Sequence, residues 1–167
     1  MGTTEAAEIP RLVQRFDTSL AAERRAAWAL AKVQIAKDPV RVLSAMLDAF
    51  PTFRTWQGRT WLLFYAVRYA QTIEHAFQLG VLGCQDRSTR VRYRGCGLLA
   101  YSLREDALQH LKPLLAHQDK RTSNDAAAAI DAIESRNHHY FLDRRHSGRV
   151  FWIVNQDDKP SRPKSPW

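Results

Sequence analysis

Residues 84–102, CQDRSTRVRYRGCGLLAYS, carry the pattern that decides the fold. At about 100° per residue, the small and apolar side chains of this stretch fall on one face of a helix. Arginines and tyrosines gather on the opposite side. The stretch therefore predicts an amphipathic helix that packs through Val91, Gly95, Leu98 and Leu99 and carries a basic outer edge.

The same plan recurs along the chain with a period in the thirties. Asp119 lies 33 residues after Asp86, and Asp17 lies 69 residues before it, which is about two periods. Partner helices are predicted between these copies. Asp38 followed by Pro39 predicts the start of one of them, because this is an N-cap with proline at the first helical position. This spacing predicts four helical hairpins, over roughly 9–36, 38–71, 72–102 and 103–136.

The turn before the basic helix reads D-x-x-x-x-V-R, with Asp86, Val91 and Arg92, and an alanine/leucine helix follows. This pattern resembles the HEAT-like repeat, and the resemblance covers roughly residues 9–136. The fourth repeat departs from it with Asn124 and Asp125 in place of the Val-Arg pair, and the second repeat lacks the turn aspartate. The resemblance implies an all-α protein, an α-solenoid of about four helical hairpins whose second helices line a concave face. It implies no single activity.

The sequence changes character after Ser135, where β-branched and aromatic residues surround Gly148. This pattern predicts a β-hairpin that pairs residues 139–144 with 149–155 and caps the last repeat. We expect Trp152 of this hairpin to pack on the helix that carries Ile130 and Ile133. The predicted organisation is a HEAT-like domain over 1–156, helical over 9–136 with the hairpin at 139–155, and a basic proline-rich tail over 157–167.

The tail has prolines at positions 160, 163 and 166. This spacing resembles a polyproline II ligand, and a flexible tail that serves only solubility is the favoured alternative.

The formal net charge is +8, which points to an anionic partner: a nucleic acid, an anionic membrane surface or an acidic protein. The N-terminus has no apolar signal core and no run is long enough to span a bilayer, so we expect a cytoplasmic protein without a membrane partner. Two cysteines are too few for a disulfide framework, and Cys84 and Cys96 are predicted to be buried, reduced thiols.

Basic and aromatic residues recur on the predicted second helices. If those helices line a concave face, arginines can neutralise anions and aromatic rings can stack or pack beside them. A solvated basic surface, an acidic protein partner and a nucleic acid all remain open as interpretations. The candidate binding residues are Arg25, Lys32, Trp56, Arg59, Arg68, Arg90, Tyr93, Arg94 and Tyr101.

We find no motif for catalysis, for a cofactor or for a metal. The Gly-rich phosphate loop, G-x-S-x-G and HExxH are absent, and His138, His139 and His146 have no fourth ligand at standard spacing. The sequence favours a non-catalytic protein-binding module, such as an immunity, inhibitor or adaptor protein, which is a monomer alone and binds an acidic partner.

The alternative is a nucleic-acid-binding protein related to the alkylpurine DNA glycosylases. Some of these are built from HEAT-like repeats and place an acidic residue and tryptophans in a basic concave face. Here Trp56 and Trp61 lie near Arg59, but no carboxylate matches a catalytic position.

Overall fold

A computed structural model describes residues 2–160, and every regular element in that range is helical, which confirms the all-α class. Eight α-helices follow one another in four pairs, and short 3-10 turns extend several of them. The helices are α1 (Gly2–Gln14), α2 (Ala21–Lys37), α3 (Pro39–Ala49), α4 (Trp56–Ala66), α5 (Glu74–Cys84), α6 (Thr89–Ser102), α7 (Leu108–Leu111) and α8 (Lys120–Glu134). The 3-10 turns are Phe50–Thr52, Val67–Tyr69, Glu105–Ala107, Lys112–Ala116, His138–Phe141 and Gln156–Asp158.

The pairs stack in two layers. In one layer α1 contacts α3, α3 contacts α5 and α5 contacts α7. In the other layer α4 contacts α6 and α6 contacts α8, while Trp28 of α2 stacks on Tyr65 of α4 with 3.4 Å between ring centroids. We call the outer side of this second layer, formed by α2, α4, α6 and α8, the second-helix face.

Local signals in the sequence set several helix ends. The Asp38 side chain accepts a hydrogen bond from the Arg41 amide at 3.0 Å, and Pro39 is the first helical residue, as predicted. Pro113 cannot donate a backbone hydrogen bond, and α7 accordingly ends at Leu111 and continues as a 3-10 turn.

The packing face of α6 is the predicted one, since Val91, Leu98 and Leu99 are fully buried. Gly95 permits the close approach of α5 and α6: a Cβ there would lie 2.4 Å from the amide nitrogen of Cys84. Cys84 and its neighbour across the helix pair, Cys96, are buried and free. No helix among the described residues is long and apolar enough to cross a membrane.

A buried arginine stands near the start of α2, of α4 and of α6. Each guanidinium donates to the backbone carbonyl six residues earlier, which ties the helix to the turn that precedes it. The three pairs are Arg24 with Thr18, Arg59 with Phe53 and Arg92 with Asp86.

Two of these arginines also bind a carboxylate in the turn of the following pair. Arg59 forms two hydrogen bonds with Asp86, at 2.6 and 3.1 Å, and Arg92 donates to Asp119 at 2.9 Å. Hydrogen bonds to Thr89, Thr122 and Arg92 keep the pKa of Asp119 well below its usual range, although burial acts against this. These arginine–aspartate links join pairs two, three and four.

No such link joins the first helix pair to the second, because the turn between α3 and α4 has no aspartate. Phe53 stands there at the position that Asp86 has in the turn between α5 and α6. The Phe53 carbonyl accepts from Arg59 in the same way as the Asp86 carbonyl accepts from Arg92. The Nε atom of Arg24 is consequently buried and has no hydrogen-bond partner among the described residues. Asp17 instead joins the first two turns by accepting from the backbone amides of Arg54 and Thr55.

The predicted β-hairpin at 139–155 is wrong. Residues 138–141 form a 3-10 turn, and no strand occurs in the range 2–160. The Trp152 amide donates to Nδ1 of His139 and its carbonyl accepts from Nε2 of His138, each at 3.0 Å. Because two imidazoles satisfy the backbone groups that a strand would offer to its neighbour, Trp152 needs no β-partner.

Two aspartates shape the remainder of this C-terminal segment, which we define as residues 138–158. Asp143 accepts from the amides of Ser147 and Gly148, and Asp158 accepts from those of Val154 and Asn155. Asp158 also accepts a 3.0 Å hydrogen bond from the Tyr101 hydroxyl of α6. The predicted tail is thus anchored at Asp158, while residues 161–167, with two of its three prolines, lie outside the described residues.

The C-terminal segment runs back across the second-helix face instead of covering only the last helix pair, α7 and α8. The Trp152 ring lies against Tyr101 and Phe141, at centroid distances of 5.6 and 5.5 Å, and its edge approaches Gly97. It also borders the apolar cluster that includes Ile133. Its aromatic partners are therefore on α6 and in the segment itself, and it also packs against the cluster to which Ile133 of α8 belongs.

We expect Trp152→Ala to lower the free energy of unfolding by about 2–3 kcal/mol. Truncating a fully buried tryptophan costs about 3–5 kcal/mol, and Trp152 is only partly buried. Phe151→Ala is the matched control, since its ring is exposed, and it should change stability by less than about 1 kcal/mol. Urea denaturation of both variants measures this, and equal losses would show that the segment is not held through Trp152.

Candidate functional site: a basic aromatic cleft

A cleft of about 780 Å³ opens on the second-helix face. Its floor is aromatic, its walls carry four arginines, and the C-terminal segment supplies one of these. We call it the basic cleft; it is lined by Trp56, Thr60, Trp61, Phe64, Thr89, Arg90, Tyr93, Arg94, Arg121, Asn124, Asp125 and Arg144.

Helical spacing brings these side chains together. Residues four apart share a face of a helix, as Trp56, Thr60 and Phe64 do on α4, and as Arg90 and Arg94 do on α6. Because α4 is apolar nearly all round, it buries one side in the core and still presents an aromatic surface; the Phe64 side chain is 47% exposed.

Two arginines of the basic cleft lie over aromatic rings of its lining. The guanidinium carbon of Arg90 is 4.4 Å from the Trp56 ring centre, and that of Arg94 is 5.4 Å from the Phe64 ring centre. Such cation–π contacts hold a guanidinium in place while its N–H groups remain free for an anion. Among the described residues no carboxylate forms an ion pair with Arg90, Arg94 or Arg121.

Asp125 is the acidic residue of the lining. It accepts a 2.7 Å hydrogen bond from Arg144, whose Nε also donates to the Phe141 carbonyl. Asp125 lies 33 residues after Arg92, so the fourth helix pair places a carboxylate where the third has the linking arginine, and the C-terminal segment supplies the cation. Four arginines and one aspartate leave the lining with an excess of three positive charges.

A second, smaller pocket of about 240 Å³ adjoins the basic cleft. It lies between α4, α6 and the C-terminal segment, and we call it the apolar pocket. Exposed apolar side chains contribute to its lining: Phe64, Leu142 and Ile153 are 47%, 39% and 43% exposed. Phe64, Tyr93 and Arg94 belong to both, so the cleft and the pocket form one continuous surface.

The structure brings together four of the predicted binding residues: Trp56, Arg90, Tyr93 and Arg94 all line the basic cleft. Arg68 lies on the apolar pocket instead. Arg25 and Lys32 are exposed on α2 and do not line either site.

Arg59 and Tyr101 have structural surroundings. Arg59 is buried in its ion pair with Asp86. Tyr101 is buried beneath the C-terminal segment, where loss of solvent raises its pKa to about 12, and its hydroxyl is held by Asp158 and Asn155. Neither side chain lines the basic cleft.

Several lining residues were not among the predicted binding residues, notably Trp61, Phe64, Arg121 and Arg144. A signal for Phe64 was present, because an α4 that is apolar all round must expose part of that surface. The exchange of the Val-Arg pair for Asn124 and Asp125 was likewise visible and marks the wall formed by α8. No local signal predicts Arg144, because its position depends on the path of the C-terminal segment.

The three histidines considered as metal ligands have separate roles. His138 and His139 hold the Trp152 backbone, while His146 hydrogen-bonds Asp131 and stacks on Tyr140. Within residues 2–160 no cluster of three histidine, cysteine or acidic side chains could hold a metal ion.

We expect stability to fall as the pH drops from about 7.5 to 5.5, and His138 to contribute to the fall. Burial lowers the pKa of His138, although the Trp152 carbonyl and Asp158 act against this. The unfolded chain, with its histidine pKa near 6.5, therefore binds more protons than the folded chain as the pH drops through that value. The His138 contribution is complete above the unfolded pKa and is lost below it.

His138→Gln keeps a donor for the Trp152 carbonyl and removes the titration. Urea midpoints at the two pH values should differ less for this variant than for the wild-type chain. Asp143 and Asp158, whose pKa values are lowered by amide hydrogen bonds, act only at more acidic pH. An unchanged difference in the variant would contradict the role given to His138.

Comparisons with protein-family models, with curated proteins and with solved structures found no match.

Proposed function

We propose that this protein is a non-catalytic binding module that holds an acidic protein partner on its second-helix face, as an immunity, inhibitor or adaptor protein does. The observation that carries the proposal is the basic cleft, with unpaired arginines set over aromatic rings. The HEAT-like pattern belongs to the same proposal, since stacked helical hairpins present extended, pre-formed binding surfaces.

The composition of the cleft favours a protein ligand. Tryptophan, tyrosine and arginine are the residues that most often dominate protein–protein binding energy, and here Trp56, Tyr93 and Arg90 line one cleft. Arg90 and Arg94 already rest on rings, so they lose little freedom when they bind a carboxylate. The adjoining apolar pocket adds a surface that a protein side chain can fill.

A nucleic acid is the second candidate, and one observation favours it. Aromatic rings beside arginines form a platform on which bases stack. Against it, the α2 cations Arg25 and Lys32 do not line the cleft. A glycosylase also requires a carboxylate, and Asp125 in the lining is neutralised by Arg144.

The proposal is tested by affinity capture from a nuclease-treated extract of the source cells, with the wild-type chain and the variant Arg90→Glu/Arg94→Glu side by side. The expected result is an acidic protein that the wild-type chain retains, that salt elutes and that the variant does not bind. Identical captured proteins for both chains would contradict the proposal.

A mobility-shift assay at low and high salt addresses the second candidate. Phosphate contacts weaken steeply with salt, so a shift of duplex or single-stranded DNA that is strong at low salt and lost in the variant would assign the cleft to nucleic acid.

A further inference from the structure

We propose that the apolar pocket receives one bulky apolar side chain of the acidic partner segment that the basic cleft binds. The inference rests on the proposed function and adds to it the kind of sequence that is recognised: a phenylalanine, tryptophan or leucine among glutamates or aspartates. Three observations support it: the size of the pocket, its lining and its position.

The pocket has the size of a side chain. A cavity of about 150 Å³ accommodates a benzene ring in a protein interior, and the apolar pocket measures about 240 Å³. The pocket therefore has the volume for a phenyl or indole group.

Most of the lining residues are apolar, and three of these are partly exposed. Phe64, Leu142 and Ile153 each leave more than a third of their surface in water, and they surround the same opening. Covering this surface removes apolar area from water at about 25 cal/mol for each Å². Trp152, whose backbone is held by His138 and His139, also lines the pocket.

The position of the pocket defines what accompanies the apolar side chain. Arg94 belongs to both the pocket and the cleft, Arg68 lines the pocket, and Arg90 lies on the same helix four residues before Arg94. A segment whose apolar side chain enters the pocket therefore has arginines on the cleft side. Charge complementarity selects carboxylates for the neighbouring positions.

The same charge argues against residues 161–167 of this chain as the occupant. This stretch contains Arg162 and Lys164, which the arginines beside the pocket would repel, although it ends in a tryptophan. We therefore assign the apolar pocket to a side chain of a separate acidic chain.

The test uses two fluorescent peptide probes. One is a short glutamate-rich peptide with a single central phenylalanine, and its twin has serine at that place. We expect the phenylalanine peptide to bind at least about tenfold more tightly to the wild-type chain, as measured by fluorescence anisotropy. Leu142→Ser/Ile153→Ser should remove that advantage and leave the affinity for the serine twin unchanged.

Leu30→Ser/Val33→Ser is the matched control, because these side chains are 53% and 49% exposed on α2, away from the pocket. It should retain the full advantage of the phenylalanine peptide. Arg90→Glu/Arg94→Glu should weaken both peptides, which tests the basic cleft separately.

Each remaining outcome has a defined meaning. Equal affinity of the two peptides, weakened by the arginine variant, would overturn the pocket assignment and leave the proposed function standing. If neither peptide binds, the pocket assignment and the proposed function are both contradicted. If removal of residues 161–167 raises the affinity for the phenylalanine peptide about tenfold, the tail occupies the pocket and the proposal is overturned.

Discussion

Arg59→Met should lower the free energy of unfolding by about 3–5 kcal/mol, a large part of the 5–15 kcal/mol of a typical domain. The side chains of Arg59 and Asp86 are 6% and 7% exposed, and two hydrogen bonds join them. Removal of the cation leaves a buried carboxylate without its partner, and that is the source of the cost. Urea denaturation followed by circular dichroism measures the change.

Arg24→Met is the matched control. Arg24 is equally buried and donates to the corresponding turn carbonyl, but no carboxylate faces it. We expect this variant to lose about 1–2 kcal/mol, because a hydrogen bond to Thr18 and a cation–π contact with Trp61 disappear but no buried carboxylate loses its cation.

The double variant Arg59→Met/Asp86→Asn separates the charge from the packing. The asparagine oxygen can still accept from the Ser88 amide, which Asp86 does in the wild-type chain. We expect the double variant to recover at least about 2 kcal/mol relative to Arg59→Met, since no charge is then left unpaired. Similar losses for Arg59→Met and Arg24→Met would contradict the role of the arginine–aspartate links.

Arg90→Glu/Arg94→Glu should weaken binding of the acidic partner about a hundred- to a thousandfold, or about 3–4 kcal/mol. Two guanidinium groups are lost, and the new carboxylates oppose those of the partner. The stability of the chain should change by no more than about 2 kcal/mol, because both side chains are exposed, neither forms an ion pair in the described part of the chain, and two exposed cation–π contacts are lost. Isothermal titration with the captured partner measures the affinity.

The control for this prediction is Arg11→Glu/Arg15→Glu. It changes the net charge by the same amount at Arg11 on α1 and at Arg15 directly after α1, in the other layer of the fold. It should reduce affinity by no more than about threefold at physiological salt, where charges beyond about 8 Å are screened. Equal effects of the two variants would mean that net charge, and not the basic cleft, governs binding.

Periodicity predicted the helical part of the fold well because it reports which residues are buried. Val91, Leu98 and Leu99 are in the core, and Asp38 with Pro39 begins α3. These features depend on residues close in sequence. The turn aspartates were also visible, but their partners were not identified, although Arg59 with Asp86 and Arg92 with Asp119 share a spacing of 27 residues.

The C-terminal segment could not be predicted in the same way. Residues such as Val150 and Ile153 favour strands, yet a strand requires a neighbour with free backbone groups. Residues 138–141 are committed to a 3-10 turn that the Asn137 side chain caps, and side chains of the segment itself accept from the amides of the remainder, as Asp158 does from Val154. Side-chain acceptors such as Asp143 and Asp158 decide this path, and they have no periodic signature.

Four of the predicted binding residues lie together for a physical reason. Helical spacing places Arg90 and Arg94 on one face, but the same spacing cannot distinguish an arginine that faces solvent from one, such as Arg59, whose long side chain turns back to a buried carboxylate. The exposed aromatic residue Phe64 was missed because apolar residues on a central helix are expected to be buried.

Site-specific photo-crosslinking tests most directly whether a protein partner binds in the basic cleft. A photo-reactive residue in place of Asn124 lies at the exposed wall of the cleft, and one in place of Val40 lies in a groove between α1 and α3. We expect a crosslink from position 124 to an acidic segment of a single protein, and none from position 40. Crosslinks from position 40 alone, or from position 124 to nucleic acid, would contradict it.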